Sequence, residues 1–306
     1  MKSWLGLKWV AVCLAAGAFQ TQAATNYYVN DSSQTNDVFT SAIGHPSNPG
    51  TTNSPKATLA NVIATCNLQP GDTVYIDTGT YPAGTIVSNT VNGTAGNPIR
   101  FIGSTNGVIL TGSGTILSVQ GRYLTFQDIR TYGGQYGVEL LAASYCTFDR
   151  VWAVSNATYA FHLITARTNQ FRRCVAAAGA PAMRTSSGSL NNYVENCILL
   201  TSVGTTLRLD PTAVSNMTRC IIGGSQAFLS STFIPPAGSH NLFYGVSNFG
   251  SDIETLSDLV RAKTNWTANS YADPRFVNEA ALDFHVQSPA GCVSNGVWVT
   301  NSAYAY

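Results

Sequence analysis

Glu139, His162, Arg184 and Arg208 recur at intervals of 23, 22 and 24 residues, each directly after an apolar residue in a short strand-like segment. The segments are YGVELL, YAFHLI, PAMRTS and TTLRLD, with QAFLSS as a fifth; aligned, they set Val138, Phe161, Met183, Leu207 and Phe228 in one inward column. Side chains alternate between the faces of a strand, so the neighbouring outward column reads Glu139, His162, Arg184, Arg208 and Leu229. Stacked as parallel strands ~4.8 Å apart, Glu139 and Arg208 stand ~14 Å from each other. Asp210 follows two residues after Arg208 on the same face, and Tyr136 and Tyr159 flank the upper end. Tyrosine rings offer apolar faces to sugars, and guanidiniums grip carboxylates with two hydrogen bonds. Outward strand positions are polar in any case, so a solvated face is the competing reading of the column.

Spacing separates the reactions such a face supports. Hydrolysis of a glycosidic bond needs two carboxyl groups ~5 to ~9.5 Å apart. Glu139 and Asp210 are three rungs, or ~14 Å, apart, which disfavours a hydrolase. Elimination from a uronate needs a cation to neutralise the carboxylate and a base to take the α-proton. Arg184 and Arg208 fit the first need and His162 the second, with Glu139 placed to orient His162 or raise its pKa. Lysine is absent from these rungs, and two carboxylates are too few for calcium. No metal or other cofactor is expected.

What must hold this column is a repeat running from Tyr123 to Gly223 with a period of 22 to 23 residues. Cys174, Cys197 and Cys220 are 23 residues apart, and stepping back reaches Val151 and then Ile129. Three positions earlier in each segment lie Phe126, Phe148, Phe171, Val194 and Met217, a second apolar column in register with the first. A fixed period with little identity is a solenoid, whose repeats bury their apolar faces on one another. The segments are short and rich in β-branched and aromatic residues, with TYGG, AVSN, AAAG and TSVG between them, so the elements are strands and the solenoid a parallel β-helix. Residues i and i+3 of an unbroken strand face opposite sides, so a corner falls between the two columns. Gln127 and Asp128, Asp149 and Arg150, Arg172 and Arg173, Glu195 and Asn196, and Thr218 and Arg219 occupy it. They read as outward and solvated, with Asp149, Arg172 and Glu195 forming an alternating-charge ladder of weak surface pairs.

Residues 1–23 carry Lys2 and Lys8, an apolar run from Trp9 to Phe19 and small residues before Ala24, the pattern of a secretory signal peptide. Neither that run nor any later stretch is long enough to span a bilayer, and Cys13 is a poor lipoprotein site. The chain is therefore expected outside the cytoplasm: extracellular, periplasmic or on the cell surface. Without Lys2 and Lys8, fourteen basic residues face fifteen acidic ones, and nothing favours nucleic acid. Lys56 and Lys263 are then the remaining lysines. Columnar cysteines on parallel rungs point alike rather than converging, so Cys174, Cys197 and Cys220 read as core and few or no disulfides are expected. Cys66, Cys146 and Cys292 have no evident partners.

The segment 24–70 holds an opening strand, TNYYVN, a polar loop and an amphipathic helix. Ser54 can cap that helix, Pro55 suits its first turn, and Leu59, Val62, Ile63 and Cys66 share one face, which is expected to cover the open end of the solenoid. GDTVYIDTGTY from Gly71 is the first rung of a β-helix reaching residue 250, SHNLFYG from Ser239 its final coil, and Leu256 to Lys263 a short helix within the segment 251–306.

SPKATLANVIATCNLQPGDTVYIDTGTY resembles the amino-terminal region of secreted right-handed parallel β-helix proteins of the pectate-lyase-like superfamily. ADPRFVNEAALDFHVQSPAG, from Ala272 to Gly291, is similar to their usual carboxy-terminal segment. In similar proteins a W-V-T element and a closing turn follow; here Trp298-Val299-Thr300 is present and the chain stops at Tyr306, as a shortened version would. The resemblance implies one right-handed parallel β-helix of about seven or eight coils with an N-terminal amphipathic helix cap. It does not fix the reaction, because the superfamily holds lyases, hydrolases, epimerases and non-catalytic surface proteins. The Asp-Asp and Gly-His-Gly elements of polygalacturonases, the Arg-x-Pro-x-x-Arg of calcium pectate lyases and the Asn-Gly-Gly-Glu and Lys-Ser motifs of alginate lyases are not found in this sequence. Two functions follow: binding, with cleavage by β-elimination, of an acidic polysaccharide along the Glu139–Arg208 face, or a non-catalytic exported solenoid used as adhesin, spacer or cell-surface component.

Overall fold

The computed structural model describes residues 23–286 apart from 180, 187, 203, 211, 230–236, 250–254 and 263. Lys2, Lys8 and Cys13 of the expected signal peptide, and likewise Lys263, Cys292 and Trp298 to Thr300, lie outside these residues.

The chain winds into about seven turns of parallel β-solenoid. Three strand columns run up it. One starts where Asn26–Val29 pairs with Thr73–Ile76, the next where Gly79–Pro82 pairs with Val108–Gly112, and the third where Thr85–Val87 pairs with Thr115–Val119. The opening strand is therefore itself the lowest rung, one earlier than expected from Gly71. SHNLFYG is not the last rung either, since Trp266–Thr267 and Ser270–Tyr271 pair above it. The first helix is Leu59–Thr65, starting later than the sequence suggests: Thr58, not Ser54, is its N-cap and accepts from Asn61 N. Ser54 instead pairs with Thr51 across a tight turn. Leu59 and Val62 of the helix are buried in the solenoid core.

Both sequence columns line that core. Phe101, Phe126, Phe148 and Phe171 stack ring on ring at centroid separations of 4.8, 5.2 and 5.0 Å, and Val194 and Met217 continue the column. Cys174, Cys197 and Cys220 are buried free thiols, as is Cys146, while Cys66 is a half-buried one. Burial pushes Cys146 up to about 12 and Cys174 and Cys197 well above the usual thiol range, so these sulfurs are packing groups. Two short asparagine ladders, buried except at the half-buried Asn269, had no signal in the two columns. Asn169 and Asn192 bond each other and the carbonyls of Ala143, Ala166 and Ala213, and Asn241 does the same with Asn269 and Met217.

The corner between the columns is a single left-handed residue per turn. Asp128, Arg150, Arg173, Asn196 and Arg219 have φ of 55°, 52°, 53°, 53° and 53°. Each such residue costs ~1–2 kcal/mol in isolation, and stacking offsets the cost because its N–H finds the next coil: Arg173 N donates to Glu195 O, Asn196 N to Thr218 O and Arg219 N to Ser239 O. The reading of these residues as uniformly solvated fails at the lower rungs. Asp128 is 3 % exposed and accepts from Arg150 Nε at 2.5 Å and Nη2 at 2.8 Å. The charge ladder is also offset from the expected one: Arg173 pairs with Asp149 and Arg219 with Glu195 at 2.9 Å, whereas Arg172 reaches Glu195 only at 4.0 Å. Arg219 is 47 % exposed, so Arg219→Ala is expected to cost no more than ~1 kcal/mol in urea denaturation.

The second column is apolar outside as well as inside. Trp152, Val175, Ile198, Ile221 and Leu242 form an in-register outer stripe. An antiparallel hairpin of Phe276–Asn278 and Asp283–Val286 covers it with Leu282 and Phe284, building a second core. Part of the Ala272–Gly291 segment singled out in the sequence is thus the lid of that stripe. Among the described residues no helix is long and apolar enough to cross a membrane.

Candidate functional site

The strands Tyr136–Leu141, Tyr159–Ile164, Met183–Ser186 and Gly204–Arg208 stack in parallel in the third column. Their register aligns Glu139 with His162, His162 with Arg184 and Arg184 with Arg208, as the repeat predicts. Inward, Val138, Phe161, Met183 and Leu207 are all buried, which anchors the phase of the outward column. Ser118 lies one rung below Glu139 and extends the column downward. Leu229 does not extend it upward: a register shift aligns Leu229 with Leu207 and Phe228 with Thr205, so the column ends at Arg208.

Contacts along this column are tighter than a solvated face would give. His162 Nδ1 lies 3.1 Å from Glu139 Oε1, and since a carboxylate only accepts, Nδ1 is the protonated nitrogen. The opposite nitrogen, Nε2, faces Ser186 Oγ at 3.5 Å. Tyr136 and Tyr159 stack on each other at 5.6 Å, and their rings lie 5.3 and 4.9 Å from the imidazole. The two tyrosines wall in the histidine, leaving it 8 % exposed. Arg184 lays its guanidinium over the Tyr159 ring at 5.5 Å, a cation–π contact that holds it beside His162. Arg208 is exposed.

Burial decides the charge of His162. Desolvation, the largest effect, pulls its pKa below the ordinary 6.5 and Arg184 adds to the lowering; Glu139 raises it through its hydrogen bond and charge, as expected, but does not outweigh burial. The ring is neutral at neutral pH. As pH falls below 6.5 the unfolded chain takes up the proton before the folded one, so this group removes stability from there down to its folded pKa and adds no pH slope above 6.5. Any reaction using His162 as base is expected to keep its rate below pH 6.5, with the acid limb of a kcat/KM profile on the acidic side of that value.

Asp210 departs from its predicted place. Its strand ends at Arg208, Leu209 is buried, and Asp210 N donates to Thr185 Oγ1 at 2.6 Å, so strand alternation no longer sets its face. Its Oδ2 is buried without a hydrogen-bond partner among the described residues. Lys56 is buried, with Nζ on Pro46 O at 3.1 Å, away from the column. Ser186 is the site residue that sequence reasoning passed over; its signal was its position two residues after Arg184 on the same strand face. Among the described residues no group of three or more His, Cys, Asp or Glu is placed to hold a metal ion.

Three stacked strand columns with a stacked aromatic core define the architecture. The fold of this chain is a parallel β-helix. Solved structures of similar shape include a rhamnogalacturonan lyase, at 16 % identity and a TM-score of 0.49 over 74 % of this chain and 74 % of that one. An alginate lyase from Paenibacillus matches at 15 % identity and 0.44 over 63 % of this chain and 88 % of that one. A pectate lyase matches at 12 % identity and 0.44 over 88 % and 91 %. No protein-family model and no curated protein matches the sequence. At these identities and TM-scores the likenesses decide nothing about the reaction, and the chemistry of this β-helix rests on its own side chains.

Proposed function

We propose that this β-helix binds an acidic polysaccharide along the Glu139–Arg208 face and cleaves it by β-elimination. The observation that carries the reading is the in-register run of Glu139, His162, Arg184 and Arg208, in which a neutral, carboxylate-oriented imidazole adjoins the Arg184 guanidinium and Arg208 follows one rung further on. In this reading Arg184 and Arg208 grip the uronate carboxylate and draw charge from the α-carbon. His162 takes the α-proton at Nε2 while Glu139 holds Nδ1. Electrons released at the α-carbon form the double bond as the glycosidic carbon–oxygen bond breaks, and the leaving oxygen takes the proton from His162 Nε2 and departs as an alcohol. Tyr136 and Tyr159 shape the wall beside the base and offer their outer edges to the sugar. The basic-then-apolar opening of the chain supports export and action outside the cytoplasm.

Ultraviolet absorbance of unsaturated uronates, followed over a panel of pectic, alginate-type and glycosaminoglycan substrates, tests the reading. Absorbance rising with one acidic glycan and not with neutral ones supports it. Silence across the panel together with tight binding on a glycan array leaves the non-catalytic role of adhesin or surface component.

A further inference from the structure

His162 is held at both ring nitrogens, and the second contact has no part in elimination. Glu139 Oε1 fixes Nδ1 at 3.1 Å, and Ser186 Oγ stands 3.5 Å from Nε2. The three residues come from three consecutive strands, with Ser186 two places beyond Arg184 on the outward face and half-buried, so its hydroxyl remains reachable. A hydroxyl, an imidazole with its lone pair turned to that hydroxyl, and a carboxylate behind the imidazole form the arrangement that activates serine as a nucleophile. Such contacts are often long before substrate arrives and shorten as it binds.

We propose that Ser186, His162 and Glu139 form a nucleophile, base and orienting carboxylate that remove an acyl group from an ester carried by the bound glycan. Ser186 Oγ bonds to the ester carbonyl carbon as its proton passes to His162 Nε2, and the carbonyl π pair moves onto oxygen. Arg184, held on the same face by the Tyr159 ring, supplies positive charge to that oxyanion. The oxyanion collapses, the carbon–alkoxy bond breaks, and the sugar oxygen leaves with the proton from Nε2. Water then attacks the acyl-serine, giving its proton to Nε2, and Ser186 Oγ departs with that proton, so one ester and one water become one acid and one alcohol. This activity rests on the reading that the column holds a glycan and not on elimination.

Two substrates separate the parts of the proposal. Incubated with p-nitrophenyl acetate, the full chain is expected to release nitrophenol and carry one acetyl group on Ser186 by peptide mass spectrometry. Ser186→Ala is expected to lower that release by about 10³-fold or more. The adduct is read on the unaltered chain, so its detection does not depend on the variant folding. No adduct on Ser186, or equal release from Ser186→Ala, overturns the relay. With an O-acetylated polyuronate, released acetate is measured apart from unsaturated uronate. Acetate release supports the glycan ester as substrate, and acetyl-Ser186 formed from the small ester alone overturns it. Loss of the unsaturated product with acetate release intact overturns elimination and leaves the esterase standing.

Discussion

In a chain carrying His162→Ala, release of unsaturated uronate from whichever acidic glycan the protein cleaves falls by about 10²- to 10⁴-fold, the share a positioned general base contributes. The physical basis is the protonation state. A histidine with an ordinary pKa of 6.5 would be partly charged near neutrality, whereas burial between Tyr136 and Tyr159 keeps His162 neutral and Glu139 keeps its free lone pair on Nε2. Steady-state absorbance kinetics with a matched melting curve check the result, the melt showing that removal of a nearly buried ring has not unfolded the coil. Arg184→Ala and Arg208→Ala serve as internal comparisons, since loss of a carboxylate grip raises KM as well as lowering kcat. Elimination that survives His162→Ala would place the base elsewhere.

Phe148→Ala is expected to cost ~3–5 kcal/mol of stability, the range for deleting a buried aromatic ring. Phe148 is fully buried and stacks on Phe126 at 5.2 Å below and Phe171 at 5.0 Å above, so the substitution opens a void at two rung interfaces at once. Neighbouring coils cannot collapse into it, because the backbone ladders on either side hold the rung spacing. In a solenoid each repeat contacts only its neighbours, so the loss is concentrated at the coil that carries His162 and at the coils on either side of it. Urea denaturation followed by circular dichroism reads the effect, with Phe148→Leu expected to be milder. A loss below ~1 kcal/mol would mean that the aromatic column is dispensable to the fold.

Much of this molecule is written in its periodicity. A 22-to-23-residue repeat of Phe126, Phe148 and Phe171 with Val151, Cys174 and Cys197 declares stacked strands, because only stacking buries an apolar face too small to close on itself. The three-residue offset between those columns places the corner at Arg150 and its counterparts, where the chain turns through a left-handed residue. The same phase brings Glu139, His162, Arg184 and Arg208 into one line, since strand alternation and rung register are local properties of sequence.

Where the chain leaves regular strand, prediction from the sequence fails. Asp210 follows a strand end and Leu229 a register shift, so counting residues no longer tells which way either faces. Burial is equally invisible to it. Asp128 looked solvated until the corner closed around it, and the outer stripe at Trp152 and Ile198 is buried only because the hairpin ending at Val286 covers it. Most consequential is His162. Its neighbours along the column are legible in the repeat; its charge, set by two tyrosine rings that exclude water, and its second partner, the side chain of Ser186 on the next strand, are not. Desolvation and side-chain distance depend on what surrounds a group in three dimensions, and no one-dimensional pattern carries them.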